Sequence, residues 1–325
     1  MENKPKNYLN DEHLSIGTRE YLRVLNAGGR PVESLPVAEA RKVLADVQAA
    51  VEVDLSGIDE REREIVADGH ALTLHLVRPH GSRGRLPYFV FIHGGGWVLG
   101  DYSTHRRLVR DLVVESEVAA VFVDYTPSPE AKYPQAVDEI YDAVKWVAEN
   151  DAELDLDRRR MALVGNSAGG NMALAAALLA KKRHAPAVRA LVLLWPVTSA
   201  SSDWKSYALY GGERFLTAPL MKWMFGKYVS DPAQRGNDLM SPVRASAERL
   251  RGLPATLIVV AENDILRDEG EAMGRRLDEA GVEVTTVRFN GVVHDWGMLN
   301  GFAALHPTRT LIRLVGSVLR DYLEK

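Results

Sequence analysis

The stretch Met161-Ala162-Leu163-Val164-Gly165-Asn166-Ser167-Ala168-Gly169-Gly170-Asn171-Met172-Ala173-Leu174 decides the fold. Four apolar residues read as a buried strand, and the Ala/Leu-rich run that follows reads as a helix. The pentapeptide between them fits G-x-S-x-G, in which a serine sits at a sharp strand-to-helix turn and projects from the sheet edge. Glycines flank such a turn because a Cβ there would collide with the neighbouring strand or helix. Taken alone, the pentapeptide also fits a glycine-rich turn that binds a phosphate or nothing.

Outward from this turn, short apolar or alternating runs recur: Leu72 to Val77, Tyr88 to Ile92, Val118 to Val123, Ala190 to Leu194, Thr256 to Val260 and Val284 to Phe289. Helical stretches lie between them, at Arg106 to Ser116, Pro134 to Asn150, Gly170 to Lys182, Asp268 to Ala280 and Thr308 to Leu323. Parallel strands need crossovers and helices supply them, so this alternation predicts an α/β fold with a mostly parallel central sheet and helices on both faces. Residues 1–50 carry no strand signal. There Val37, Ala40, Leu44, Val47 and Val51 recur at steps of three and four, leaving an apolar stripe that something must cover. A second departure runs from Ser199 to about Gly236, where Trp204, Tyr207, Tyr210, Phe215, Met221, Trp223, Met224, Phe225 and Tyr228 crowd a connection that a short crossover would satisfy. The expected organisation is a helical cap segment over 1–50 and a catalytic domain over 51–325 with a cap insertion near 199–236. Open α/β sheets place ligands at the carboxyl ends of their strands, where this cap would sit. The alternative is that the aromatics only build the lid's own core. The Glu60-Arg61-Glu62-Arg63-Glu64 run reads as solvated surface, and Lys181-Lys182-Arg183 as positive charge at a helix C-terminus.

The 325 residues are 46% hydrophobic and 26% charged, ordinary for one decorated globular domain. The 40 basic and 44 acidic side chains give a net charge of −4, which offers no footprint for nucleic acid or an anionic membrane. A small uncharged substrate fits better. The absence of cysteine excludes disulfides, thiolate metal sites and a cysteine nucleophile. No stretch of about 18 apolar residues occurs, and no apolar run follows Met1 to Asn7, so the expectation is a cytoplasmic protein.

An alcohol is a weak nucleophile, so Ser167 needs a base in hydrogen-bond reach, and the base needs an anion to fix its tautomer. In folds of this kind the order is nucleophile, acid, histidine, the last two on loops after late strands. Asp264 follows the Thr256 run and His294 follows the Val284 run. Glu262, Asp268, Asp295 and His306 compete, but fall too early, inside a helix or beyond the loop. His93-Gly94-Gly95-Gly96-Trp97 follows the Tyr88 strand; its missing side chains free backbone N–H groups to point at one spot. Gly95, Gly96 and Ala168 are assigned as oxyanion donors, each worth about 2.7 to 4 kcal/mol where such donors have been removed. His93 reads as structural. No metal or cofactor is required: neither H-E-x-x-H nor a phosphate-binding glycine pattern is present.

These residues resemble the hormone-sensitive-lipase-like esterases of the α/β-hydrolase superfamily, marked by an HGGGW-type oxyanion loop and a GDSAGG-type elbow, over residues 70 to 320. Val123-Asp124-Tyr125 with Pro129-Glu130, Pro134, Asp138 and Glu139 is similar to that family's D-Y-x-x-x-P-E stretch, and Asp264 to Gly270 to its acid loop. The departures are Asn166 for the usual Asp, Ser128 for Ala, Ile265 for Pro, and Asp295-Trp296 for Gly-Phe. The resemblance implies a serine carboxylesterase acting on short- to medium-chain acyl esters, a helical cap, and in some members dimerisation through the sheet edge. Trp97, Asn166, Trp204, Tyr207 and Trp296 are the expected pocket side chains. An amidase or peptidase would use the same triad, and a non-catalytic ligand-binding relative should have lost one member. A dehalogenase would want an Asp where Ser167 stands.

Overall fold

The computed structural model describes residues 7–324; Met1 to Lys6, on which part of the leader reading rests, lie outside it. Two helices come first, α1 (Ile16–Leu25) and α2 (Val37–Ala49). The strands are β1 (Ile58–Ala67), β2 (His70–Pro79), β3 (Leu86–Ile92), β4 (Ala119–Asp124), β5 (Leu156–Asn166), β6 (Ala190–Leu194), β7 (Ala255–Asn263) and β8 (Val284–Val293). Helix α3 (Tyr102–Ser116) joins β3 to β4, α4 (Gln135–Glu149) joins β4 to β5, and α5 (Ala168–Arg183) joins β5 to β6. Between β6 and β7 lie α6 (Lys205–Tyr210), α7 (Ala218–Tyr228) and the short α8 (Ala247–Leu250). Then α9 (Arg267–Glu279) precedes β8, and α10 (His306–Glu324) closes the chain.

The eight strands form one sheet in the order β1-β2-β4-β3-β5-β6-β7-β8. From β4 to β8 every pairing is parallel; β2 runs antiparallel to both β1 and β4. Strand β6 is buried throughout and β3 from Tyr88 to Ile92, as continuous apolar strands covered on two faces must be. Helices α3 and α10 pack together on one face, α4 and α5 on the other.

The Glu60–Glu64 run is largely exposed, as its reading as solvated surface predicts, but the strand β1 that carries it was not expected. The Glu60–Glu64 run lies within it, paired residue for residue with β2 from Ile58 opposite Pro79 to Ala67 opposite His70. Asp68-Gly69, at φ 47° and 91°, makes the two-residue hairpin turn. That Asp-Gly pair was the available signal. Its weak apolar content reflects an edge position, where charge also blocks pairing with another chain.

On α2, Ala40 and Leu44 are buried as the stripe predicts, while Val51 lies past the helix end. The same helix ties down two loops. Arg41 donates from Nε to the Val98 carbonyl (2.8 Å) and from Nη2 to that of Ser128 (3.0 Å). Gln48 donates to the Met298 carbonyl (3.1 Å) and accepts from the Asn300 N–H (2.8 Å). The N-terminal segment also meets the β6–β7 connection: Asp11 and Arg214 form a buried ion pair at 2.7 Å, and Asn26 donates to the Glu213 carbonyl (3.1 Å). Among the described residues no helix is long and apolar enough to cross a membrane.

Candidate active site

Strand β5 ends at Asn166 and α5 starts at Ala168, leaving Ser167 alone at the turn with φ 54° and ψ −121°. A side chain pays for that conformation, so the surrounding structure must impose it. It does so by close packing. A Cβ on Gly169 would fall 1.9 Å from the Ile92 carbonyl oxygen, so only glycine lets α5 start this near β3.

Asp264 directly follows β7 and His294 directly follows β8, and the parallel register brings both loops to the edge that carries Ser167. Ser167 Oγ lies 2.9 Å from His294 Nε2, and His294 Nδ1 lies 2.7 Å from Asp264 Oδ2. A carboxylate only accepts, so Nδ1 carries the ring proton and Nε2 accepts from the serine hydroxyl. The second Asp264 oxygen accepts the Leu266 N–H (2.9 Å). All three side chains are buried. Burial is the largest influence on His294 and pushes its pKa down, but the Asp264 and Asp295 carboxylates together outweigh it and leave the imidazole above its ordinary value.

After β3 the loop folds back on itself, the Gly95 carbonyl accepting from Val98 (3.2 Å) and Leu99 (2.8 Å). Gly94 spends its N–H on Asn166 Oδ1 (2.9 Å), whereas no acceptor in the described chain takes that of Gly95 or Gly96. The Ala168 N–H is free by position, as the first residue of α5. His93 is held away from this chemistry: its ring stacks on Tyr125 at 4.2 Å, its Nδ1 donates to the Gly94 carbonyl (2.8 Å), and burial lowers its pKa.

A cavity of about 470 Å³ opens over Ser167 and His294. Ala40, Leu44 and Val47 of α2 line it from one side, Leu216, Leu220 and Met224 from the other, and Gly95, Gly96 and Asp295 at its floor. Both the N-terminal segment and the β6–β7 connection therefore reach the site. The expected pocket residues do not: Trp97, Asn166, Trp204, Tyr207 and Trp296 are absent from the lining. Trp97 stacks on Tyr228 at 4.4 Å, and Trp296 packs on Trp195 at 4.4 Å and Phe289 at 5.4 Å, both fully buried. Asn166 lies beneath the floor, and Tyr207 is buried on α6, just after Trp204. Large aromatics gain more from full burial than from a partly wet cavity, so the lid-core alternative describes Phe225 and Tyr228, which pack on Trp97, whereas Phe215 lines the cavity. The aliphatic lining of α2 was visible as its stripe and Met224 as part of the inserted lid; Asp295 had no sequence signal as lining.

Of the rival acids, Glu262 pairs with His13 at 3.3 Å and Asp268 with Arg267 at 2.8 Å, while His306 begins α10. Asp295 alone stays near the site, with Oδ2 3.7 Å from His294 Nε2.

A serine on a strained turn between the central strand and its helix, beneath an apolar cavity at the carboxyl edge of a parallel sheet, defines the α/β-hydrolase class. The chain matches the family described as alpha/beta hydrolase fold over residues 89–298. It is 33% identical to an ethyl acetate hydrolase of Pseudomonas putida over 85% of this chain and 89% of that protein. It is 34% identical to a carboxylesterase of Mycobacterium tuberculosis over 76% of this chain and 77% of that one. A thermostable esterase of Pseudomonas putida superposes with a TM-score of 0.95 at 48% identity, covering 97% of this chain and 99% of that one. The chain belongs to the hormone-sensitive-lipase-like family of α/β hydrolases, and it is a carboxylesterase.

Proposed function

We propose that the ester bond is cleaved by Ser167, with His294 as general base, Asp264 as its orienting acid, and the N–H groups of Gly95, Gly96 and Ala168 as the oxyanion hole. The observation that carries this is the relay Ser167 Oγ to His294 Nε2 (2.9 Å) and His294 Nδ1 to Asp264 Oδ2 (2.7 Å), opening on a cavity. As Oγ attacks the carbonyl carbon, its proton passes to Nε2 and the carbonyl oxygen gains a negative charge to which the unpaired backbone N–H groups donate hydrogen bonds. The imidazolium then protonates the departing alkoxide, leaving an acyl-serine. Water attacks that ester with His294 again as base, the serine oxygen takes back a proton, and the acid leaves.

The apolar lining supports small uncharged acyl esters of short or medium chain as substrates, and about 470 Å³ limits the length that fits. In this reading residues 1–50 and 199–236 act as the cap on a catalytic domain. The test is hydrolysis of p-nitrophenyl acetate, butyrate and palmitate by the protein and its Ser167→Ala variant, with circular dichroism on both. Turnover of the short esters by the parent and none by the folded variant supports the reading. Equal turnover by both removes Ser167 as nucleophile, and a preference for palmitate removes the chain-length assignment.

A further inference from the structure

Asp295 is a buried carboxylate that the relay does not use. Its backbone, at φ 59°, turns the side chain back beneath His294. There Oδ1 accepts from Asn166 Nδ2 (3.0 Å) and Trp195 Nε1 (2.6 Å), and Oδ2 faces His294 Nε2 at 3.7 Å. Asn166 is committed on its other side as well. Its Oδ1 accepts the Gly94 N–H (2.9 Å), and its Nδ2 also lies 3.4 Å from His105 Nε2.

The Gly94 N–H, which only donates, and the Asp295 carboxylate, which only accepts, decide which way the amide points, and the ring of His105 agrees. Its Nδ1 lies 3.2 Å from the Asp101 carbonyl, which only accepts, so Nδ1 carries the proton and Nε2 is bare. Burial pushes the His105 pKa down to about 3, keeping the ring neutral. Asn166 therefore gives both amide hydrogens, to Asp295 and toward His105, and its oxygen receives Gly94. A flipped amide would set its oxygen against the Asp295 carboxylate and its NH2 against the Gly94 N–H.

This knot joins three loops: the glycine loop through Gly94, the elbow through Asn166, and the histidine loop through Asp295. We propose that Asn166 and Asp295 are a positioning pair that holds these three loops in register, and that the Asp295 carboxylate is a second anion stabilising the His294 imidazolium. The proposal rests on the roles given above to Ser167 and His294. It accounts for an amide before the nucleophile in a chain that carries an acid after the histidine. The knot has donors for a single negative charge, and two carboxylates at hydrogen-bond distance repel. The charged or titratable groups facing His294 are Asp264 and Asp295; those facing Asp295 are His294 and Asp264, with neutral His105 beyond Asn166, and burial raises the Asp295 pKa while His294, Asn166 and Trp195 favour its charged form.

The experiment measures kcat and KM for p-nitrophenyl butyrate from pH 5 to 9 in the parent, N166D, D295N and the N166D/D295N double variant. A fluorophosphonate titrates the competent Ser167 in each, and circular dichroism checks folding. N166D should lose about 100-fold in kcat with KM nearly unchanged, because it misplaces loops without altering the cavity walls. D295N should lose about tenfold and move the acid limb of kcat/KM about one pH unit lower, the anion beside Nε2 being gone. The double variant restores one carboxylate and one amide in reversed order. Its kcat should recover about tenfold or more over N166D, while the lowered acid limb remains. Parental kcat in N166D, losses that simply multiply in the double variant, or an unmoved acid limb in D295N would each overturn the proposal. If N166D does not fold, the acid limb of the near-isosteric D295N still decides. Equal hydrolysis by the parent and Ser167→Ala would instead remove the nucleophile assignment on which the pair depends.

Discussion

Gly95→Ala perturbs the proposed oxyanion hole without touching Ser167, His294 or Asp264. Gly95 sits at φ 101°, where a Cβ is strained whatever the surrounding space. An added Cβ would fall 2.1 Å from the Leu99 carbonyl oxygen and 2.5 Å from its carbon. Ordinary contact demands a retreat of about 1.3 Å, and the obstacle is backbone, which cannot rotate away as a side chain would. The peptide just before that carbonyl is held at both ends, since the Leu99 N–H donates back to the Gly95 carbonyl (2.8 Å) and Arg41 holds the Val98 carbonyl from α2. The loop must therefore open, and the Gly95 and Gly96 N–H groups move off the oxyanion by roughly the same distance. Losing one aligned donor costs about 2.7 to 4 kcal/mol in the transition state, or about 100- to 1,000-fold in kcat. Ground-state binding depends on the cavity walls, so KM for p-nitrophenyl butyrate should stay within about threefold. Stopped-flow or steady-state hydrolysis at pH 8 gives both constants, with circular dichroism establishing that the variant is folded. A folded Gly95→Ala protein with kcat within about tenfold of the parent would refute the assignment of this loop as the oxyanion hole.

His294 must be neutral to act as base, and the carboxylates of Asp264 and Asp295 hold its pKa above the usual imidazole value, so kcat/KM should rise with pH through a midpoint above 6.5; a flat profile from pH 5 to 8 would contradict this. Arg41→Ala removes the donors to the Val98 and Ser128 carbonyls, and since Arg41 is partly exposed, a screened loss of about 1 kcal/mol should lower kcat about fivefold. Unchanged kcat would show that α2 does not steady the glycine loop. Leu44→Trp fills the α2 wall of the cavity and should raise KM for p-nitrophenyl octanoate far more than for the acetate, with parallel effects on both esters counting against this wall as the acyl boundary.

The charged strand β1 shows where sequence patterning runs out. Inner strands announce themselves because burial on two faces demands continuous apolar residues, whereas an edge strand like Ile58–Ala67 needs only Ile65 and Ala67 inside. The relay was legible for a different reason. The proposed nucleophile, acid and base each follow an apolar strand, and parallel strands with helical crossovers all deliver their C-terminal loops to one edge. The pocket was not legible in the same way: an aromatic such as Trp97 or Trp296 can face a ligand or a neighbouring ring, and local sequence is the same in both cases. Its aliphatic wall, from Ala40 to Val47, appeared in the sequence as a stripe without a stated partner.

Sequence alone marked the mostly parallel sheet apart from β1, its helical crossovers and the three residues proposed for the relay, since all follow from periodicity and from chemistry attached to strand ends. Only the tertiary structure decided which side chains line the cavity, that α2 clamps two loops through Arg41 and Gln48, and that Asn166 and Asp295, 129 positions apart, share a hydrogen bond at 3.0 Å. Contacts between remote loops depend on the packing of every element between them, and no local pattern encodes that distance.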